Sequence, residues 1–153
     1  MKTSHRLATS NDLDFIYQSL KDYVKEGGVA HRFKHTQDSL KAALFSQHPI
    51  AEVLIAEQNG QPVGFALFSN TQRNFPLFNG PGLYLHDFYV LPDYRHQGIG
   101  TEFFNQIRNI AKERKCDRLD WVVLKDNDAG KEFYKTIPDA QEVDYIHYMR
   151  VKL

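Results

Sequence analysis

Residues Leu83–Thr101 read Leu-Tyr-Leu-His-Asp-Phe-Tyr-Val-Leu-Pro-Asp-Tyr-Arg-His-Gln-Gly-Ile-Gly-Thr, and this stretch decides the fold. Its first part is apolar and aromatic, which predicts a buried strand. Leu83, Leu85 and Leu91 fall on one face and Phe88 and Val90 on the other, as in a strand covered on both sides. Pro92–Gln97 predicts a turn, and Gly98-Ile99-Gly100-Thr101 the glycine-rich start of a helix. Such a junction collects backbone N–H groups that the helix itself cannot satisfy. With the helix dipole they suit a phosphate, and glycine lets that phosphate approach without a Cβ in the way. Strict alternation places His86 and Asp87 on opposite faces. The whole suits a phosphorylated cofactor whose reactive end reaches back along the strand.

Working outward, the chain of 153 residues fits a single domain over 1–153 and is long enough for a real core, with 11 Phe and 8 Tyr to fill it. Nineteen basic and 19 acidic residues balance, so no global field draws in nucleic acid or membrane. Anion binding must therefore be local. The single cysteine, Cys116, excludes an intrachain disulfide and a Cys-based zinc cluster, and no metal is expected. The N-terminus lacks the apolar run of a signal peptide, and no segment is long enough to cross a bilayer. A soluble cytoplasmic protein is the default expectation.

Upstream, His5–Thr9 predicts a short strand. Leu13, Ile16, Tyr17, Leu20, Tyr23 and Val24 trace one buried helical face that ends at Gly27-Gly28. The loop Val29–His35 carries His31, Arg32, Lys34 and His35 around Phe33. A second helix is predicted over Thr36–Phe45. Glu52–Glu57 and Pro62–Ser69 read as strands joined at Asn59-Gly60, the strongest hairpin signal in the chain. Asn70–Gly82 reads mostly as loop. Downstream of Gly98, Ile99, Phe103, Ile107, Ile110 and Ala111 form a stripe at helical period. A strand over Leu119–Leu124, a helix capped by Asp126-Asn127-Asp128, and a final strand over Glu142–Val151 complete the order. The expectation is an α/β (α+β) fold, a mixed and mostly antiparallel sheet with helices on both faces.

Two other glycine motifs are excluded. A dinucleotide fingerprint needs a third glycine where Phe103 stands, and a phosphate-binding Walker loop needs a lysine that Gly100-Thr101 lacks. The pattern Arg95-x-x-Gly98-x-Gly100, between an aromatic strand and an amphipathic helix, resembles the pyrophosphate loop of the GNAT superfamily of acetyl-CoA-dependent N-acetyltransferases. Asn127-Asp128-x-x-x-x-Phe133-Tyr134-Lys135 is similar to that family's second cofactor motif. Gly82-Leu83-Tyr84-Leu85, Asp87, Ala56-Glu57, Gly64-Phe65-Ala66 and Phe133-Tyr134-Lys135 further resemble the spermidine/spermine (diamine) subgroup. The likeness spans nearly the whole chain and implies a sheet of six to seven strands.

The resemblance implies acetyl-CoA as co-substrate. Arg95, His96, Gln97, Gly98, Ile99, Gly100 and Thr101 would surround the diphosphate. Backbone groups of Phe88, Tyr89 and Val90 would take the pantetheine arm and the developing oxyanion. Asn127, Gly130 and Lys135 would flank the cofactor, and Tyr134 would protonate the departing thiolate. A tyrosine of ordinary pKa, about 10, keeps that proton at neutral pH. His86 stands where the diamine subgroup has Glu. It could accept the amine's proton, directly or through water, or only shape the pocket. Asp87 is either structural or lines the site. The acidic residues that suit a polycation are replaced by the basic loop with His31 and Arg32, while Glu142 and Asp144 partly restore acidity. The expected acceptor is a small primary amine, diamine-like or amino-acid-like, and a homodimer is expected. The rival readings are a protein N-terminal or lysine acetyltransferase, and a non-catalytic acyl-CoA sensor on the same fold.

Overall fold

Asn59-Gly60 closes a hairpin with both residues in left-handed backbone, φ 52° and 73°, as a two-residue turn of this twist requires. It joins strand β2 (Glu52–Gln58) to β3 (Gln61–Thr71). The computed structural model describes residues 2–73 and 75–152; Asn74, within the expected 70–82 loop, and Met1 and Leu153, at the limits of the expected domain, lie outside them. The chain divides into two units, Met1–Val122 and Val123–Leu153.

In the first unit, β1 (Ser4–Leu7), β2, β3, β4 (Gly82–Val90) and β5 (Arg118–Trp121) form one five-stranded sheet in sequence order. All neighbours are antiparallel except β4 and β5, which are parallel. That parallel pair needs a crossover, and α3 (Ile99–Glu113) supplies it. Helices α1 (Leu13–Glu26) and α2 (Gln37–Phe45) precede β2. Thr36 caps α2 by accepting from the Ser39 amide at 3.1 Å, so the expected helix start is its N-cap.

Each sheet face is covered, because each helix presents an apolar stripe. Ile16, Leu20, Leu40 and Leu44 of α1 and α2 pack with Val53, Ile55, Phe65 and Tyr89. On the α3 side, Phe103 meets His5 at 5.2 Å and Phe88 at 5.5 Å between ring centroids, and Phe104 meets Trp121 at 5.1 Å. Phe103 is fully buried; truncation of such a ring to alanine costs about 3–5 kcal/mol.

The expected sheet of six to seven strands is corrected to five among the described residues. Glu142–Val151, expected as a strand, has no regular structure. A strand exists only where a neighbour takes its N–H and C=O groups, and among the described residues none pairs with this run. Tyr145, Met149 and Val151 stay 66%, 84% and 82% exposed. The second unit holds α4 (Asp128–Lys135), with Ile137 buried.

Candidate active site

Chain geometry at the end of β4 prepares a diphosphate site. Pairing of β4 with β5 ends at Leu85 and Trp121, while β4 runs on to Val90. Among the described residues, 86–90 therefore extend beyond the β4–β5 ladder, and this side is called the open edge of β4. The Leu91 amide donates to Val63 on the β3 side at 2.9 Å. Alternation then turns the amides of Phe88 and Val90 to the open edge and that of Tyr89 to β3. After a short turn at Pro92–Tyr94, His96 and Gly98 take left-handed backbone, φ 60° and 82°. A Cβ placed on Gly98 would meet nothing within 4 Å, so the backbone lies open to an approaching ligand. The amides of Ile99, Gly100 and Thr101 stand in the first turn of α3, beyond reach of the helix's own carbonyls. These groups fit a diphosphate with an extended amide-bearing arm.

Arg95 faces elsewhere. Its Nε donates to the Val90 carbonyl at 2.8 Å, and its Nη2 reaches both carboxylate oxygens of Glu26 at 3.1 and 2.8 Å. The Tyr89 hydroxyl donates to the same carboxylate at 2.6 Å, and Arg95 lies over the Tyr89 ring at 5.1 Å. Burial pushes the Glu26 carboxyl up, but the Tyr89 hydroxyl and the Arg95 guanidinium outweigh it and the net is below the usual range. Burial and then Glu26 push the Tyr89 hydroxyl up to about 12.

A bulge changes the middle of β4. Leu67 pairs with Asp87, but its neighbour Phe68 pairs with Leu85, leaving His86 as the extra residue. His86 and Asp87 therefore do not alternate. His86 Nε2 lies 2.7 Å from Ser69 Oγ, and its ring meets Tyr84 at 4.8 Å. Ser69 shares a β3 face with Leu67 and Phe65, the face covered by α1. Asp87 interacts with Tyr23 of α1. Both side chains thus lie on the α1 face, which corrects the expected opposition. The same shift moves Phe88 to the α3 face with Leu85 and leaves Leu91 on the α1 side. Displacement of water by protein lowers the His86 pKa, and the nearby Asp87 only partly offsets it. Burial raises Asp87, against the opposing pull of His86 and Tyr23.

His31 and Arg32 lie in a short exposed turn, Ala30–Arg32, and Lys34 and His35 are exposed beside it. Phe33 of this loop stands 5.7 Å from Tyr17 of α1. A recess of about 280 Å³ there is lined by Gln18, Lys21, Asp22, Val24, Lys25, Ala30 and Phe33. In the second unit, Asn127 caps α4 by accepting from the Gly130 amide at 2.9 Å. A Cβ on Gly130 would press into that carboxamide at 2.6 Å, so glycine here keeps the cap closed. Tyr134 is half-buried, with its ring edge to Phe133 at 5.2 Å. Phe133 is also half-buried, and no residue within α4 is buried. Lys135 pairs with Glu132 at 2.5 Å, and Glu142 is exposed. Among the described residues, no group of three or more His, Cys, Asp or Glu could hold a metal ion.

The family model described as "Acetyltransferase (GNAT) family" matches residues 13–137. The chain belongs to the GNAT acetyltransferase family. It is thereby an acyltransferase. A thialysine N-epsilon-acetyltransferase of Mus musculus is 28% identical over 141 residues, 87% of this chain and 81% of that protein. A spermidine/spermine N(1)-acetyltransferase-like protein 1 of Homo sapiens is 29% identical over 136 residues, 84% of this chain and 19% of that protein. Both accord with the resemblance to the diamine subgroup. Among solved structures, a possible acetyltransferase from Clostridium difficile 630 superposes with a TM-score of 0.80 at 23% identity, covering 100% of this chain and 99% of that one. That likeness shows the fold.

Within the GNAT frame, three residues escape a reading of motifs. Ser69 holds His86 across the β3–β4 ladder, and only the bulge brings them together. Tyr23 and Glu26 meet the C-terminal half of β4 from α1. Their spacing of three residues, on one helical face, was the available signal.

Proposed function

We propose that this chain is an acetyl-CoA-dependent N-acetyltransferase that modifies a primary amine of a small molecule, diamine-like or amino-acid-like. The carrying observation is the open edge of β4 running into the Gly98 turn and the first turn of α3. On this reading the amides of Ile99, Gly100 and Thr101, with the turn from Arg95 through Gly98, hold the diphosphate. The amides of Phe88 and Val90 take the pantetheine arm and the thioester oxygen. Acetyl-CoA supplies the activated acyl group.

The acceptor nitrogen bonds to the acetyl carbon as the carbon–sulfur bond breaks. The acceptor's ammonium has first given one proton to His86 or to water beside it, which frees the lone pair that attacks. Tyr134 gives its hydroxyl proton to the departing sulfur and regains one from the new amide nitrogen. Positioning and hydrogen bonds to the developing oxyanion supply most of the rate. Asp87 draws the acceptor's ammonium toward β4, while His31 and Arg32 on the exposed loop favour an acceptor that also carries a carboxylate. Thialysine, named for the Mus musculus relative, has both groups. The remaining proposals are one functional domain over 1–153, cofactor contacts from Asn127, Gly130 and Lys135, an acceptor contact from Glu142, a homodimer, and a cytoplasmic site of action. No helix among the described residues is long and apolar enough to cross a membrane.

The test is thiol release from acetyl-CoA across polyamines, amino acids, thialysine-like amines and aminoglycosides. Turnover should be greatest with amines bearing a carboxylate. Tyr134→Phe should lower kcat by about 10²–10⁴-fold with the acceptor KM little changed. Binding of acetyl-CoA with no thiol release from any amine overturns the enzyme reading in favour of a sensor.

A further inference from the structure

We infer that Glu26 is a positioning residue for the cofactor: it clamps the Arg95 side chain between the end of α1 and the Val90 carbonyl, and so holds the glycine turn against the open edge of β4. The inference rests on the proposed use of acetyl-CoA at that turn.

Arg95 is the first residue of the Arg-x-x-Gly-x-Gly pattern, yet its guanidinium is committed within the protein. One nitrogen fixes the carbonyl of Val90, at the last residue of β4. Another lies against both oxygens of Glu26, a charge-assisted arrangement that fixes direction as well as distance. Glu26 is itself fixed from β4, because the Tyr89 hydroxyl donates to it at 2.6 Å. Stacking of Arg95 on Tyr89 closes the ring of contacts. Three groups therefore depend on one carboxylate: the Tyr89 hydroxyl, the Arg95 guanidinium and, through Arg95, the Val90 carbonyl.

The chain enters the turn directly from Arg95, with left-handed His96 and Gly98 following. Without the clamp, those two residues are held by the short turn at Pro92–Tyr94, with Tyr94 bonded to Leu91 at 2.9 Å and Arg95 to Pro92 at 3.2 Å. They are also held by the Gln97 carboxamide on the Asp93 carbonyl at 3.2 Å, and by α3, whose Glu102 amide donates to Gly98 at 3.0 Å. Arg95 is what ties the turn to α1. The clamp thus reduces the conformational freedom that a bound diphosphate would otherwise have to remove. Glu26 is acidic and near a proposed anion site, so simple charge repulsion makes the opposite forecast. Removing it should then tighten binding.

The experiment measures acetyl-CoA affinity by calorimetry, and kcat and KM by thiol release, for wild type, Glu26→Gln, Glu26→Ala, Arg95→Ala, Tyr89→Phe and the double variant Glu26→Ala/Arg95→Ala. Melting curves run beside them. Both Glu26 variants should weaken acetyl-CoA binding by roughly three- to tenfold, with Tyr89→Phe losing less. The KM for acetyl-CoA should rise while kcat at saturation stays within about twofold. The double variant should be no weaker than the worse single, because both act through one contact. If Glu26→Ala fails to fold, Glu26→Gln and Tyr89→Phe carry the same comparison. Unchanged or tighter binding in the Glu26 variants, or additive losses in the double, overturns the clamp and leaves the acetyltransferase reading standing. A wild type that binds no acetyl-CoA overturns both.

Discussion

Replacing Gly64 by alanine should damage the fold and the cofactor edge together. Gly64 pairs with Val90 across the β3–β4 ladder. A Cβ there would sit 2.7 Å from the Tyr89 carbonyl oxygen, 2.9 Å from Phe103 Cε2 and 3.3 Å from Val90 Cα. Two of these atoms are backbone of β4, and the third belongs to a ring that is 0% exposed. None is the loose end of a flexible side chain, so the strand itself must move. Overpacking of this kind costs about 1–3 kcal/mol. For a chain of this size that lowers the melting midpoint by about 3–10 °C. The displaced atoms lie at Tyr89–Val90, so the KM for acetyl-CoA should rise as well. Gly60→Ala is the control: φ is 73° and nothing lies within 4 Å of the added carbon, leaving backbone strain of about 1–2 kcal/mol without contact to the edge. Thermal melts by circular dichroism and cofactor titrations should therefore separate the two variants. If Gly64→Ala melts with wild type, or if both variants weaken acetyl-CoA equally, the steric reasoning is wrong.

Two titrations follow from the same face of the sheet. His86 has a pKa below its ordinary value because protein displaces its water, so it stays a free base at neutral pH. Activity should fall only as pH drops below about 6.5, and His86→Gln should flatten that acidic limb in a kcat/KM profile; an unchanged limb removes His86 as the proton acceptor. Tyr89 lies above its unfolded value, at about 12, first through burial and then through Glu26. A raised folded pKa means the associated stability is complete below pH 10 and is lost as pH rises from 10 towards 12, by up to about 2–3 kcal/mol. Denaturant unfolding should show a shallower alkaline loss in Tyr89→Phe, with Tyr23, also raised by burial and Asp87, sustaining part of the slope. Equal slopes in the two proteins would count against the Tyr89–Glu26 bond.

Elements with their own internal signal were legible from residues alone. The helix after Gly98 is built by Ile99, Phe103, Ile107 and Ala111, all buried, and Asn59-Gly60 carries its turn chemistry in two adjacent residues. The run Glu142–Val151 has a strand's composition, but a ladder is a property of two segments, and composition describes one. The bulge at His86 is harder still to read. Alternation is a rule with period two, so one unpaired residue reverses every assignment beyond it. Phe88, read on the face opposite Leu85, turns out to share it; Asp87, read opposite His86, stands beside it. That reversal has chemical consequences. An unbulged strand would send one of the two polar side chains into the layer under α3, among Phe103 and its neighbours, with no partner for its charge. Burying such a group unpaired costs several kcal/mol. The extra residue instead delivers the imidazole and the carboxylate to one face, where Ser69 and Tyr23 receive them. It does so next to the point where β4 parts from β5. One irregularity in pairing thus gathers the polar groups beside the open edge.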